Sequence, residues 1–575
     1  MIDWYGLFFN ALWVAGLALL LAALGWPRFW AAERPIWAGQ GWRREMDRPS
    51  FGLLANLGLV LFCLGLALNS KGWIALLWLG LAGAFAAQVW SAARHRAGSS
   101  QAVSTAPAGW AALGLVVVGA LFVAAYSFAI RPWMQPDEPR HYEVIQHNAR
   151  LARPTYYPDL NLEWEREIIA DMEAQDFWWY GFSLIGWDPQ APPEDFAAIW
   201  GQMYSRAFFQ QPLYYLLAGG LLKQWWLDQP LSMQVIWLRL LGAVFFAATL
   251  WGVYAAGREL FPDRPNLTLA ALAFAALWPS HIAVFAAVNN DALVELWVVW
   301  AAVFGLRTIR RGAKLADLTA LVLFGLLAIL TKRSGLVVLV LPLAVVLRAF
   351  TRAGSRAVSR AGSRAGSHWR RQVLWAVVAM IVAVIYVAGL WLAAQRTGRI
   401  WAPPDFLSSL VNGDFLRQAA QAPLGRFADV MLRSFMGWFG WLRVSLPPIL
   451  YGAGWVLAIA GVVALLIGYA HLFWPGSRLE RWQRAGLIFL AALLLAQFTL
   501  AVGKDIVYGF WQDGSAPQAR YLYPVLPAIV LPAMLGLGAV LRPRWQRRLP
   551  GLVIAALTLF NLYVLGFVLY PFFWL

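Results

Sequence analysis

The sequence predicts an all-α polytopic membrane protein: a bundle of about 14 transmembrane helices with one large, structured first extracytoplasmic loop. Three observations predict it. The 575 residues are 61% hydrophobic and only 13% charged, more apolar surface than a soluble chain of this size hides. Apolar stretches of about 20 residues recur, the length that crosses a hydrocarbon core of roughly 30 Å. Arginines gather in the short segments between them, the positive-inside pattern of membrane helices.

Spans are expected near 5–25, 51–69, 72–91, 109–130, 232–256, 266–282, 288–306, 315–331, 335–350, 372–394, 446–472, 485–503, 521–541 and 551–572. The first lacks a basic N-terminal flank and a small-residue cleavage site, so it reads as a retained helix rather than a signal peptide. The net charge of +17 is explained by loop arginines and does not call for nucleic acid as a partner. The single cysteine, Cys63, excludes an intrachain disulfide and a thiolate metal cluster.

Loop charge sets the topology. "SAARHR", "RTIRRGAK", "RLERWQR" and "RPRWQRR" follow or separate spans. Residues 352–371 hold six arginines and no acid, built on RAGS-type tetrapeptides. That stretch reads as a flexible basic tether (351–371), with contact to anionic lipid headgroups as the alternative to a simple solvated linker. Placing these loops in the cytoplasm gives one consistent alternation with both termini outside. The expected organisation is N-terminal transmembrane hairpins (1–108), a core (109–350), the linker, and C-terminal helices (372–575). Residues 210–226 are then a helix at the outer interface rather than a span. The segment 131–211 falls outside. It carries 13 of the chain's 29 acidic residues together with aromatic stretches, so it is expected to have structure and function of its own. Trp178, Trp179 and Trp187 in it fit either sugar stacking or packing on the membrane. A second outer segment, 396–445, has the apolar spacing of an amphipathic interfacial helix.

This topology collects the unusual polar clusters on the outer face: Asp137 and Glu138 in "PDEP", followed by His141; "PSH" and "NND" with Asn290 and Asp291; "TKRSG" with Lys332 and Arg333; "GKD" with Lys504; and "QARYLYP" with Arg520 and Tyr521. Charges near membrane depth usually face a polar cavity or a partner. Each cluster also has a structural reading. Glu138 before Pro139 suits a helix N-cap, "NND" suits another, "KRSG" suits a helix C-terminus with Gly335 as left-handed cap, and Arg520 suits snorkelling in an aromatic belt. Four independent caps would not be expected to place acids and cations around one vestibule.

An acid pair beside several cations suits transfer from an anionic leaving group. A carboxylate such as Asp137 removes a proton from an attacking hydroxyl, and Lys or Arg stabilises the departing phosphate. A phosphate-binding P-loop, a structural zinc spacing, HExxH and GxSxG are all absent from the sequence.

The order of motifs resembles the GT-C superfamily of integral-membrane glycosyltransferases, whose large first extracytoplasmic loop opens on an Asp or Asp-Glu motif at the end of a span. Here that is "QPDEPRHYE", followed by "QQPLYYLLAG", "RLLGAVFFAATLWGVYAAGRELFP", "PSHIAVFAAVNNDAL" and "LTKRSGLVVLVLP". A closer similarity is to a bacterial family of predicted membrane proteins combining PDEP…H (136–141), GWFGWLR…LPP (437–448) and ARYLYPVLP (519–527). That family usually has Gly-Arg-Tyr where this chain has Ala519-Arg520-Tyr521. The resemblance covers roughly 130–535.

It implies a GT-C-like bundle in a bacterial plasma membrane. It also implies inverting transfer of a sugar from a polyprenyl-phosphate donor to a glycan, lipid or protein acceptor on the extracytoplasmic face. Asp137 is the implied base. Glu138 is its partner or the holder of a cation, and Lys332, Arg333 and Arg520 are candidates for the donor phosphate. His141, Asn290, Asp291, Lys504 and Tyr521 are supporting residues. No metal ligand is assigned and no cofactor is required, although a divalent cation stays compatible with the reading. The alternatives are a flippase or transporter of lipid-linked saccharides, or a non-catalytic protein that binds a lipid-linked glycan.

Overall fold

A computed structural model describes residues 106–153, 161–177, 210–312, 314–356, 412–474, 476–477, 479–507 and 516–575, with isolated positions at 59, 63, 381, 384 and 385. The spans expected at 5–25, 51–69, 72–91 and 372–394, the linker beyond Arg356, and Trp178, Trp179 and Trp187 lie outside the described residues.

The chain divides into two compact units: Met1–Pro107 with Ile145–Thr155 and Leu216–Gln229, and Ala108–Val144 with Tyr156–Tyr215 and Pro230–Leu575. Helix α1 covers Ala106–Ala129, α2 Glu138–Leu151, α3 Leu162–Ala174 and α4 Leu213–Leu221. A π turn, Leu222–Trp226, extends α4. Then come α5 (Leu231–Leu260), α6 (Pro265–Leu277), α7 (Pro279–Phe285), α8 (Asp291–Arg311), α9 (Leu315–Thr331) and α10 (Pro342–Arg356). From residue 412 onward follow α11 (Asp414–Gln421), α12 (Leu424–Met436), a hairpin of β1 (Trp438–Phe439) and β2 (Val444–Ser445), and α13 (Pro448–Ala470). The chain closes with α14 (Arg481–Phe498), α15 (Lys504–Val507), α16 (Leu526–Val540), α17 (Pro543–Tyr563) and α18 (Tyr570–Trp574).

Among the described residues, seven helices are long and apolar enough to cross a membrane: Gly109–Ala129, Leu231–Leu260, Asp291–Arg311, Pro448–Ala470, Arg481–Gly503, Ala519–Val540 and Pro543–Trp574. Each falls on an expected span. An eighth is added if α6 and α7, bent by 60°, form one span. The bend has a local cause: Trp278 precedes a proline and is driven out of the helical region, to φ −80 and ψ 118. The expected span 315–331 is present as the shorter helix α9.

The expected span 335–350 is not a continuous α-helix. It is a 3-10 helix, Arg333–Val340, followed by α10. Gly335 is there for close approach rather than as a left-handed cap: a Cβ on it would sit 2.4 Å from the Ala328 carbonyl oxygen. Helix α10 also runs through Arg356, six residues into the expected tether. Alanine and arginine are good helix formers, so they prolong it. Helix α4 with its π turn is too short to cross, in keeping with a 210–226 segment that is not a span. Residues 396–445, expected to form one amphipathic interfacial helix, hold two helices, α11 and α12, and the hairpin among the described residues.

Within the second unit, α8 packs between α5 and α9, α6 packs on α17, and α13 packs on α16. Helix α13 keeps most of its apolar surface outward, with Val456, Leu457 and Ile459 exposed. Such a face is stable against lipid and not against water. Helices in lipid gain by close backbone approach at small residues. At the α13–α16 contact a Cβ on Gly468 would meet the Pro532 carbonyl at 1.9 Å, and one on Gly536 would meet the Ala464 carbonyl at 1.9 Å. The far end of α8 is basic: Arg310 and Arg311 bond Glu259 of α5 at 3.2 Å and 2.5 Å.

Gly468→Leu is expected to lower thermal stability in detergent by about 1–3 kcal/mol, since the helices must separate. Gly461→Leu, on the same helix with open space around it, should leave the melting temperature near that of the parent. Equal melting temperatures for the two variants would show that the close contact is dispensable.

Candidate functional site

The site is assembled at the end of α1. Helix α2 starts only at Glu138, and the eight residues between carry two left-handed backbones, Trp133 at φ 71 and Asp137 at φ 63. Non-glycine residues at positive φ are uncommon and cluster at functional sites, and Asp tolerates the region better than most.

Arg239, in the apolar interior of α5, fixes this turn. Its Nε and Nη2 donate to the two oxygens of Glu138 at 2.8 Å and 2.6 Å. Its Nη1 donates to the carbonyls of Ser127 and Ile130 at 2.9 Å and 2.5 Å, and Nη2 also reaches the Arg131 carbonyl at 2.9 Å. All five guanidinium N–H groups are used. The Ser127 carbonyl is one a helix C-terminus leaves without a partner, and Ile130 and Arg131 follow directly on the helix, so Arg239 caps α1 as well as pairing Glu138. Both side chains are 0% exposed. Glu138 Oε1 also accepts the Val288 N–H at 3.1 Å, which ties the α7–α8 turn to the same point. Glu138, expected as a catalytic partner or the holder of a cation, thus has both oxygens engaged in a buried structural knot.

Asp137, one residue earlier, points the other way. Its side chain is 34% exposed, and Oδ2 accepts from Arg520 Nη2 at 3.0 Å. Arg140 Nη1 lies 3.7 Å from Oδ1. Burial would raise the Asp137 pKa, but the Arg520 and Arg140 charges outweigh it and hold the carboxyl below the usual carboxylate range. Arg520 opens the 3-10 turn Ala519–Val525 ahead of α16, with its guanidinium 5.4 Å from the Tyr521 ring centre. It lines a cleft with Gln135, Pro136, Asn289, Trp438 and Tyr523.

The second pair lies at the start of α8. Lys332 Nζ donates to Asp291 Oδ1 at 2.5 Å. Asn289, not Asn290, caps α8: its Oδ1 accepts from the N–H groups of Asp291 and Ala292 at 2.9 Å and 3.2 Å. Asn290 is fully buried and donates over longer distances, 3.4 Å to the Tyr215 hydroxyl and 3.5 Å to the Thr331 carbonyl. His141 Nδ1 is 2.7 Å from the same Tyr215 hydroxyl. Burial pushes the His141 pKa down, to about 4, against the opposing Asp137 charge. Arg333 opens the next 3-10 helix half-buried. Lys504 begins α15, and its side chain lies outside the described ones. Among the described residues no three His, Cys, Asp or Glu side chains are grouped to hold a metal ion.

The hairpin closes one wall. Trp441, left-handed at φ 53, donates its indole N–H to the Trp133 carbonyl at 3.0 Å. Trp133 donates its own to Asp171 of α3 at 2.7 Å. Helices from four distant stretches thus bring Asp137, Asp291, Lys332 and Arg520 to one end of α8. Sequence reading missed Arg239, Tyr215 and Arg140. A lone arginine inside an apolar segment was the available signal for the first.

No protein-family model matches the chain, and no curated protein sequence matches it. Solved structures resemble it over 80% of its length. ArnT from Cupriavidus metallidurans bound to undecaprenyl phosphate aligns at 17% identity with a TM-score of 0.39, over 66% of the ArnT chain. The apo oligosaccharyltransferase of Archaeoglobus fulgidus aligns at 15% identity with a TM-score of 0.40, over 55% of that chain. The chain therefore spans less than two thirds of the length of either.

Arg239→Leu leaves Glu138 buried without its countercharge, with only the Val288 N–H still bonded to it, which should cost on the order of 3–5 kcal/mol. Thermal unfolding in detergent checks this, and a variant as stable as the parent would show that the knot is not needed. The His141 shift has its own signature. An unfolded histidine takes a proton below about pH 6.5, whereas the native ring waits until about 4. The unfolded state therefore binds more protons across that window, and stability should fall as pH drops through it. His141→Gln should flatten this part of the melting-temperature profile. A profile identical to the parent's would exclude His141 as its source.

Proposed function

We propose that this chain is a membrane glycosyltransferase that moves a sugar from a polyprenyl-phosphate donor to an acceptor hydroxyl on the extracytoplasmic side, with inversion. The observation that carries the reading is Asp137: a partly exposed carboxylate on a left-handed backbone, within hydrogen-bond reach of Arg520, which lines a cleft. The motif order resembling GT-C enzymes supports it.

In this reading Asp137 accepts the proton of the acceptor hydroxyl as its oxygen bonds the anomeric carbon. The bond from that carbon to the phosphate oxygen breaks on the opposite face, and its electron pair leaves with the phosphate. Arg520 stabilises the leaving anion, for which a guanidinium fork is well matched. Lys332 is engaged by Asp291 and shapes the floor beside it. Glu138 acts through Arg239 by fixing the turn, so it is a positioning residue. No step is assigned to a divalent ion. The bacterial plasma membrane is the proposed location.

The test uses the full chain in nanodiscs with a panel of polyprenyl-phosphate sugars and measures release of free polyprenyl phosphate. Asp137→Asn is expected to reduce turnover by about 10²–10⁴-fold, the range of a lost general base, with folding intact. Full turnover in that variant would overturn the assignment of the base.

A further inference from the structure

Asp137 is a poor base as it stands. Two guanidinium groups face its carboxylate, at 3.0 Å and 3.7 Å, and a carboxylate so neutralised has little affinity for a proton. General bases work best with proton affinity matched to the operating pH, so one of the cations has to leave before Asp137 can act.

The two are not equally held. Arg140 sits in the first turn of α2, only three residues from Asp137, and is held beside it by the chain. Arg520 comes from a stretch 383 residues away and lines the cleft. The contrast with Arg239 is informative. Arg239 spends every N–H on a fixed partner. Arg520 bonds Asp137 through Nη2, while its Nε is buried with no hydrogen-bond partner. A buried guanidinium with unspent donors beside a cleft is prepared for a second acceptor. Phosphate oxygens are the acceptors a guanidinium fork fits, two at a time.

We infer that Asp137 and the donor's phosphate compete for Arg520, so that the anion takes the guanidinium and thereby releases Asp137 as a base only in the donor-loaded site. This rests on the transferase reading and adds an order to it: donor first, then activation of the acceptor. When the sugar has left, the remaining phosphate monoester holds Arg520 until it departs, and the Asp137–Arg520 pair re-forms behind it. The empty site is thus kept catalytically silent, which guards against attack by water.

The experiment is a binding cycle on the full chain in neutral-lipid nanodiscs, with undecaprenyl phosphate as the probe. Asn accepts a left-handed backbone at least as well as Asp, so Asp137→Asn removes the competing charge without straining the turn. It should bind the probe about tenfold tighter than the parent, and Arg520→Ala about tenfold weaker, each roughly the scale of one charge-assisted contact. The double variant should match Arg520→Ala alone, because the effects of two residues that share one contact do not add. Arg520→Lys, which keeps the charge without the fork, should fall between the parent and Arg520→Ala, and guards against a variant that merely misfolds. Unchanged or weaker binding by Asp137→Asn overturns the inference. So does tightening that persists without Arg520, which would report only a general charge effect. The transferase reading fails separately: a donor panel with no turnover would sink it and leave this binding cycle standing.

Discussion

The Arg239–Glu138 pair is the constraint on which the site depends. A guanidinium at this depth in an apolar bundle is costly unless every donor finds an acceptor, and here five do. The acceptors come from the end of α1 and the start of α2, and Glu138 adds the turn before α8 through Val288. The end of α1, the start of α2 and the distant turn before α8 are locked to one fully buried point on α5. The lock leaves the preceding residue little freedom, and Asp137 takes a left-handed backbone with its carboxylate on Arg520. One acid of the "DE" pair thus holds the frame while its neighbour stays partly exposed.

The same logic of paired charge recurs around the cleft with a graded hold. Glu138 with Arg239 is wholly buried, Asp291 with Lys332 is nearly so, and Asp137 with Arg520 is partly open. Burial strengthens an ion pair and raises the cost of breaking it. The pair most accessible to solvent is therefore the one that can be exchanged, and it is also the one at the cleft. The aromatic clasp of Trp441 on Trp133, and of Trp133 on Asp171, supports that opening from the loop side. It does so through indole N–H donors, which can be buried with their rings and still be satisfied.

Much of the fold was legible. Hydropathy alone located the seven long helices, because a membrane span has to be both apolar and continuous and few other elements are. It misjudged 335–350, where the run is equally apolar but the backbone changes from 3-10 to α at Pro342. Composition does not distinguish the two. The candidate site was legible as a set: Asp137, Asp291, Lys332 and Arg520 were all conspicuous as charges in a chain with few of them, and they meet. Their pairing was not legible. Nothing in "PDEP" says which acid turns inward, and Arg239 was passed over because a single charge in a span looks like an interruption of the pattern rather than its anchor. The "NND" cap was correctly anticipated as a cap, but Asn289 carries it, leaving Asn290 to the interior.

The sequence by itself determined the solvent this protein folds in, where its long helices lie, and which charges are too costly to be there without a purpose. These follow from local quantities, the length of an apolar run and the free energy of placing a charge beside it, and both can be read along the chain. Only the tertiary structure decided the partners. Whether Glu138 is a base or an anchor depends on an arginine 101 residues away, and whether Asp137 is armed or silent depends on one 383 residues away. Coulombic and hydrogen-bond energies are set by separation in space and by exclusion of water. The helix packing fixes both of these, and the order of residues along the chain fixes neither.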